Sequence, residues 1–395
     1  MADTTKDIWN DDDGEEQRPK KRRKLPGILL FFLTLAVVLG VVLVAAYRDG
    51  TGFDVLRRYF SYSREEKTSG DAGYDYDASS SNRFAALGDT LVVLSDTSLK
   101  LLGQGGEELW SANVQMKAPA LATGGGRAVA YDVGGRELYV LDEKGEVASF
   151  QTDEEEPLIA ATLNGKGWLA VTAEKQNYKG CVSVYNAKME KVFDFNSSRR
   201  FVSDACVTDD CAYLAAVTLG QEDGSFVSNI VLYDLTQTEP VANYSVRDGL
   251  VMSVTQQSGK LVTVSDNKLT IADTAGQIAG EYSYGGTYLR EYDCGGDGYA
   301  ALLLGRYRNG TQHRLVTVAG DGQELASLDV DGEVLSLSAA GRYVAVLYSD
   351  HMTIYDKTLS ECARLDAVSE AREVLMRADG SAVLAGSTAA SLYLP

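Results

Sequence analysis

The sequence contains very little histidine. His313 and His351 are the only two among 395 residues. No cluster of His and Cys has the spacing of a zinc site, so we predict no metal. A Ser/His/Asp triad would have to use one of these two histidines, and Ser349-Asp350-His351 is a sequence typical of a turn between strands. We therefore predict no catalytic residues and no cofactor.

The chain also has fewer basic than acidic residues, 37 Lys and Arg against 56 Asp and Glu. Its formal net charge is −19 at pH 7, which leaves no basic face to neutralise phosphates and excludes a nucleic-acid partner. The densest basic run is Lys20 to Lys24, and it directly precedes an apolar segment. Acidic pairs such as Asp209-Asp210 fall in predicted turns and do not form the facing carboxylates of a glycosidase.

Long helical patterns are absent after residue 82, and a strand repeat takes their place. The phrase Leu138-Tyr139-Val140-Leu141-Asp142 is an apolar strand followed by a polar turn that Gly145 closes. Variants recur along the chain, with middle apolar residues at positions 101, 140, 184, 232, 271, 317 and 354. Two further short strand-like runs precede each copy. Four strands in a repeat of about 40 residues are the signature of a propeller blade.

The repeat predicts an all-β propeller over residues 83–395. We predict eight blades, starting near residues 83, 118, 157, 199, 249, 287, 333 and 371, with seven blades as the alternative. The last blade supplies only three strands of its own. We expect the stretch 73–77 to add its outer strand, because pairing the two ends of the domain closes the ring and removes exposed edges.

The N-terminal region predicts a membrane anchor. Residues 1–24 are polar and predict a disordered tail. Leu25 to Tyr47 contains no Asp, Glu, Lys or Arg, and as a helix it would rise about 34 Å, enough to span a bilayer. The basic run before it places the tail in the cytoplasm and the propeller outside. A cleaved signal peptide is the alternative. Residues 48–82 predict a short juxtamembrane helix and a linker.

These features resemble an uncharacterised family of single-pass bacterial membrane proteins. The resemblance rests on the basic tail, the single anchor, the segment Leu-Arg-Arg-Tyr-Phe-Ser-Tyr at residues 56–62, and a propeller poor in Trp. It implies an extracytoplasmic propeller of the quinoprotein or WD-repeat type and no assigned activity. The Gly-to-Trp motif of quinoprotein blades occurs only at residues 105–110, so no functional residues transfer from those proteins.

The cysteines leave two alternatives open. Cys206 and Cys211 flank a predicted turn and could form a disulfide outside the membrane, or they could be buried free thiols like other cysteines in strands. The remaining three, Cys181, Cys294 and Cys362, are far apart in sequence. With five cysteines, at least one thiol stays free unless two chains cross-link.

Three long connections between second and third strands indicate a binding face. They are residues 173–180, 219–228 and 305–314, and they should rise on one side of the ring. The third contains the candidate binding residues Arg306, Tyr307, Arg308, His313 and Arg314. We predict a non-enzymatic module that binds an envelope protein or an anionic wall polymer, with the lipid bilayer contacted through residues 25–47. The alternative is a propeller enzyme acting on an extracellular glycan.

Overall fold

The computed structural model describes two compact units. They comprise Met1–Tyr59 and Phe60–Pro395. The described residues are helical ones at 33–35, 37, 38, 40 and 54, followed by 73–395 without 223, 248 and 369. In this described part of the chain, no helix has both the length and the apolar character needed to span a bilayer. The predicted tail 1–24 and most of the predicted anchor 25–47 lie outside the described residues.

The described part of the second unit folds into eight antiparallel sheets of four strands each. We letter the strands of each blade A to D from the inside to the outside. The first strand of the chain, β1 (Gly73–Asp75), belongs to the last blade. Blade 1 is β2 (Arg83–Leu87), β3 (Thr90–Leu94), β4 (Ser98–Leu102) and β5 (Glu108–Asn113); blade 2 is β6 (Pro119–Gly124), β7 (Arg127–Asp132), β8 (Glu137–Asp142) and β9 (Gly145–Gln151).

The next three blades repeat the same up-and-down order. Blade 3 is β10 (Leu158–Leu163), β11 (Leu169–Ala173), β12 (Cys181–Tyr185) and β13 (Lys191–Asn196); blade 4 is β14 (Phe201–Val207), β15 (Tyr213–Glu222), β16 (Ser225–Asp234) and β17 (Pro240–Arg247); blade 5 is β18 (Val251–Gln257), β19 (Lys260–Ser265), β20 (Lys268–Ala272) and β21 (Ile278–Ser283).

The last three blades complete the ring. Blade 6 is β22 (Tyr288–Gly296), β23 (Tyr299–Gly305), β24 (Gln312–Ala319) and β25 (Glu324–Asp331); blade 7 is β26 (Val334–Ala340), β27 (Tyr343–Tyr348), β28 (His351–Asp356) and β29 (Glu361–Asp366); blade 8 is β30 (Glu373–Met376), β31 (Ala382–Ala385), β32 (Ala389–Tyr393) and β1. The predicted eight-bladed propeller is therefore confirmed, and the seven-bladed alternative is wrong.

The burial of the strands follows from the stacking of blades face to face. The B strands are apolar on both faces, and β3, β11, β23 and β27 are buried along their whole length. The D strands face solvent on one side and alternate between exposed and half-buried residues, as in β13 and β29. The apolar core divides into eight clusters, one at each seam between neighbouring blades.

The seam between blades 8 and 1 joins the two ends of the propeller. Strand β1 pairs antiparallel with β32, from Gly73 opposite Ser391 to Asp75 opposite Ala389. Tyr74 is 1% exposed and packs in the cluster of that seam. The hydroxyl of Tyr76 donates to the carbonyl oxygens of Gly386 and Ala389, at 3.0 and 2.8 Å. Blade 8 therefore lacks an open edge at its C strand.

A β-bulge recurs in the D strands of blades 1 to 7. One extra residue at the start of each strand interrupts the pairing with the C strand. Bulges increase the local twist and keep outer edges from pairing with other chains. The extra residues are Leu109, Val147, Val192, Val241, Ala279, Leu325 and Cys362.

Candidate functional site

The two faces of the ring carry different connections. One face, here termed the BC face, carries the B-to-C connections and those that lead from each D strand to the next A strand. The other, the AB face, carries the A-to-B and C-to-D connections. Backbone hydrogen bonds hold the BC face together: the Lys179 N–H donates to the Ser197 carbonyl at 2.7 Å, and the Gly332 N–H to that of Thr311 at 3.1 Å.

The three long connections do share the BC face, but they differ in form. The connection of blade 3 (174–180) and that of blade 6 (306–311) are loops. The predicted loop 219–228 of blade 4 is instead an extension of β15 and β16, whose pairing continues to Glu222 opposite Ser225. Glu222 accepts from the guanidinium groups of Arg200 and Arg247, which ties this hairpin to the connection that leads into blade 4 and to the D strand of that blade.

The exposed apolar side chains of the propeller lie on two of its surfaces, the BC face and the outer wall. Fourteen large apolar residues of the described propeller are exposed, and none of them lies in an A-to-B or C-to-D connection. Five stand at the start of D strands, on the outer wall: Leu109, Val192, Val241, Ile278 and Leu325. The other nine are on the BC face: Val133, Tyr178, Phe201, Phe226, Leu250, Met252, Tyr288, Tyr307 and Leu335.

The arginines of blade 6 form two groups rather than one. Arg306 and Arg308 are on the BC-face loop, with the Arg306 guanidinium 5.7 Å from the ring centroid of Tyr307. Arg314 lies within β24, where its guanidinium donates to Glu324 at 3.0 Å and to Ser327 at 2.6 Å. Because Glu324 is on the D strand, Arg314 belongs to the outer wall and not to the loop.

Arg290 is a residue of this site that the sequence did not reveal. It is an unpaired bulge residue of β22, and its guanidinium donates to the Arg308 carbonyl at 2.7 Å. A Cβ added at Gly305 would come within 3.0 Å of both the Arg290 side chain and the Tyr307 carbonyl oxygen, which is a tight contact. His313 lies beside this arginine in β24, and burial together with Arg290 lowers the pKa of its imidazole. His313 is therefore less basic than an ordinary histidine and adds no charge to the loop at neutral pH.

Five A strands contain a β-bulge close to their first residue, at the end of the strand that lies on the BC face. In blades 3 to 7 one residue close to the start of the A strand stands outside the pairing with the B strand. Such bulges re-aim a side chain relative to a regular strand. The five residues are Ile159, Ser203, Met252, Arg290 and Leu335.

Carboxyl groups on the A strands connect one blade to the next. The Asp204 carboxylate accepts the Val254 N–H at 2.9 Å, and the Asp293 carboxylate accepts the Ala339 N–H at 2.7 Å. Burial raises the pKa of Asp204 to about 7, although hydrogen bonds from backbone N–H groups oppose this. Burial likewise raises the pKa of Glu291 and of Glu373 to about 7. These groups change charge near neutral pH.

Comparison with known proteins identifies the family. Residues 58–382 match a family of unknown function, DUF5711. The chain belongs to that family. No curated protein matches it.

Solved structures similar to this DUF5711 chain are propellers. The C-terminal WD40 domain of Sif2 has a TM-score of 0.60 and 14% identity, covering 83% of this chain and 99% of that one. The computationally designed Ika8 protein has a TM-score of 0.58 and 15% identity, covering 81% and 98%. BamB from Moraxella catarrhalis has a TM-score of 0.52 and 14% identity, covering 82% and 98%. At such low identity the likeness establishes the fold alone.

The five cysteines of this DUF5711 chain are free thiols in the structure. Cys206 lies in β14 within the seam between blades 4 and 5, where burial raises its pKa far above the ordinary value. Cys211 lies in the next turn, and its sulfur accepts from the Asn164 amide at 3.4 Å. Of the two alternatives that the sequence left open for Cys206 and Cys211, the structure therefore has the free thiols and not the disulfide. The described residues contain no cluster of His, Cys, Asp and Glu that could hold a metal ion.

Proposed function

We propose that this DUF5711 protein is a binding module that docks a partner on the BC face of its propeller. The observation behind the proposal is the placement of the nine exposed apolar side chains on that face, with none in the connections of the AB face among the described residues. Exposed apolar side chains gathered on one face of a rigid scaffold are typical of interaction sites. Five of the nine are aromatic, and aromatic residues supply large contact area at low entropic cost. They are Tyr178, Phe201, Phe226, Tyr288 and Tyr307.

The charges of the BC face add specificity to this surface. Arg306 and Arg308 form no ion pair with any described residue, and the contact from Arg290 holds their loop in place. Arginine can grip a carboxylate or phosphate with two hydrogen bonds. A partner with an acidic region, such as an envelope protein or an anionic wall polymer, suits this part of the face, and its binding should weaken as salt rises.

The test compares two sets of three substitutions in the full chain. The first set changes Phe226, Tyr288 and Tyr307 of the BC face to Ser; the control set changes Leu109, Val192 and Leu325 of the D strands to Ser. All six side chains are exposed. We expect only the first set to abolish co-purification of the native partner from membranes. If both variants co-purify the native partner to the same extent as the native chain, the proposal is contradicted.

We further propose that residues 25–47 anchor the chain in the cell membrane, with the propeller outside the cytoplasm. The support is the apolar run and the basic residues before it. Cys362 offers a native reporter, because it is the exposed cysteine of the propeller. A maleimide that cannot cross membranes should label Cys362 in intact cells and should not label the Cys362→Ser variant carrying Thr5→Cys. Labelling of position 5 alone would contradict this topology.

A further inference from the structure

A groove on the BC face runs from blade 2 to blade 4. Its volume is about 450 Å³, and it continues into a cavity of about 340 Å³. One wall is the connection from blade 2 to blade 3 (152–157), and the other is the loop 174–180 of blade 3. The Glu174 N–H donates to the Pro157 carbonyl at 2.9 Å, which joins the two walls. The groove is therefore a formed surface feature and not a gap between unconnected loops.

The groove has an apolar end and an acidic end. Ile159, Tyr178 and Phe201 line the apolar end, and Tyr178 and Phe201 are 44% and 58% exposed. A side chain of this size and exposure gives a partner a ready apolar contact. The acidic end is the run Asp153-Glu154-Glu155-Glu156, which lines the adjoining cavity.

Most of this negative charge is uncompensated. Within the described residues, Glu156 pairs with Lys175 at 2.8 Å, whereas Asp153, Glu154 and Glu155 form no ion pair. The second lysine of the groove, Lys179, lies over the Phe201 ring at 4.8 Å from its centroid. The Phe201 ring at the apolar end thus already contacts a cation, the Lys179 ammonium group. The carboxylates of Asp153, Glu154 and Glu155 at the acidic end can pair with a further positively charged group.

We propose that this groove binds a segment of the partner protein that presents Lys or Arg beside a large apolar side chain. The proposal rests on the proposed function and names the chemistry of one part of the partner. The basic side chain would face Glu154 and Glu155, and the apolar one would pack on Phe201 and Ile159. Arginine also stacks on aromatic rings and pairs with carboxylates through two hydrogen bonds. A volume of about 450 Å³ accommodates two such side chains.

The test measures binding of short fluorescent peptides to the purified full chain by anisotropy. The probe is Gly-Arg-Phe-Arg-Gly with blocked ends; the matched peptides replace both Arg by Glu, or Phe by Ser. We expect the probe to bind at least tenfold more tightly than either matched peptide. Its affinity should fall as salt rises, because exposed ion pairs are screened. Equal affinity of the acidic peptide, or no binding of the probe, would overturn the proposal.

Substitutions in the chain locate the site. Glu154→Gln with Glu155→Gln should weaken the probe about three- to tenfold, as expected for two exposed charge pairs. The charge-matched control is Glu143→Gln with Glu239→Gln on the AB face, where both side chains are exposed. An equal loss in the control would contradict the groove assignment. If the Glu154 and Glu155 variant binds the native partner with the same affinity as the native chain while the BC-face set of three loses it, the groove proposal fails and the proposed function stands.

Discussion

The basic side chains of blade 6 divide between two surfaces of the propeller. Arg306 and Arg308 are on the exposed loop of the BC face, whereas Arg314 is on the outer wall. Arg314 is six residues beyond Arg308, and only the end of the loop at residue 311 decides that it joins a strand and pairs with Glu324. Arg290 could not be found from the sequence, because its contact with the loop depends on a bulge and on the space above Gly305.

Asp204 gives a prediction for the pH dependence of stability. The pKa of this carboxyl is about 7 in the folded chain against an ordinary value of 3.8. Between these values the unfolded chain has released the proton and the folded chain has not, so stability should fall as the pH rises from about 4 to about 7. At about 1.4 kcal/mol per pKa unit, the loss for this group is roughly 4 kcal/mol above pH 7.

The variant Asp204→Asn tests this assignment. It keeps an acceptor for the Val254 N–H and removes the titration. Urea unfolding at pH 4, 6 and 8 should show the variant to be more stable than the native chain at pH 8, with the difference shrinking towards pH 4. The exposed control Glu143→Gln should leave the profile unchanged. A difference between Asp204→Asn and the native chain that stays constant from pH 4 to 8 would refute the assignment.

At the scale of elements, the blade repeat was predictable and the departures from it were not. Alternating apolar residues followed by a turn at each copy placed all eight blades, and the expected closing stretch 73–77 contains β1. The hairpin of blade 4 was predicted as a loop because the spacing of the repeat is longer there, and spacing does not show whether extra residues form a loop or lengthen two strands. Pairing between β15 and β16 and the ion pairs at Glu222 extend the strands instead.

Closure of the ring should depend on Tyr74. This side chain is 1% exposed at the seam between blades 8 and 1. Tyr74→Ala should lower the free energy of unfolding by about 3–5 kcal/mol, as for other large aromatic residues removed from a core. The exposed Tyr178→Ala should change it by less than about 0.5 kcal/mol. Urea unfolding of the two variants checks this; equal stabilities would mean that β1 does not close the ring.

At the scale of the whole molecule, the chain begins its path through the propeller on the side opposite the proposed docking surface. Strand β1 starts at Gly73, whose carbonyl lies against Gly106 in a connection of the AB face. The apolar character of that face could not be predicted from the sequence, because exposed and buried Tyr and Phe residues look alike until the blades are stacked.

Docking on the BC face is tested by the affinity of the native partner for the variants with the two sets of three Ser substitutions. Dissociation constants would be measured for the full chain, the BC-face set (Phe226, Tyr288, Tyr307) and the D-strand set (Leu109, Val192, Leu325), with thermal melts to confirm folding. Loss of several aromatic contacts at an interface should weaken binding at least 100-fold, and the D-strand set should stay within twofold of the native value. A BC-face variant that keeps its fold and its full affinity would contradict docking of the partner on this face.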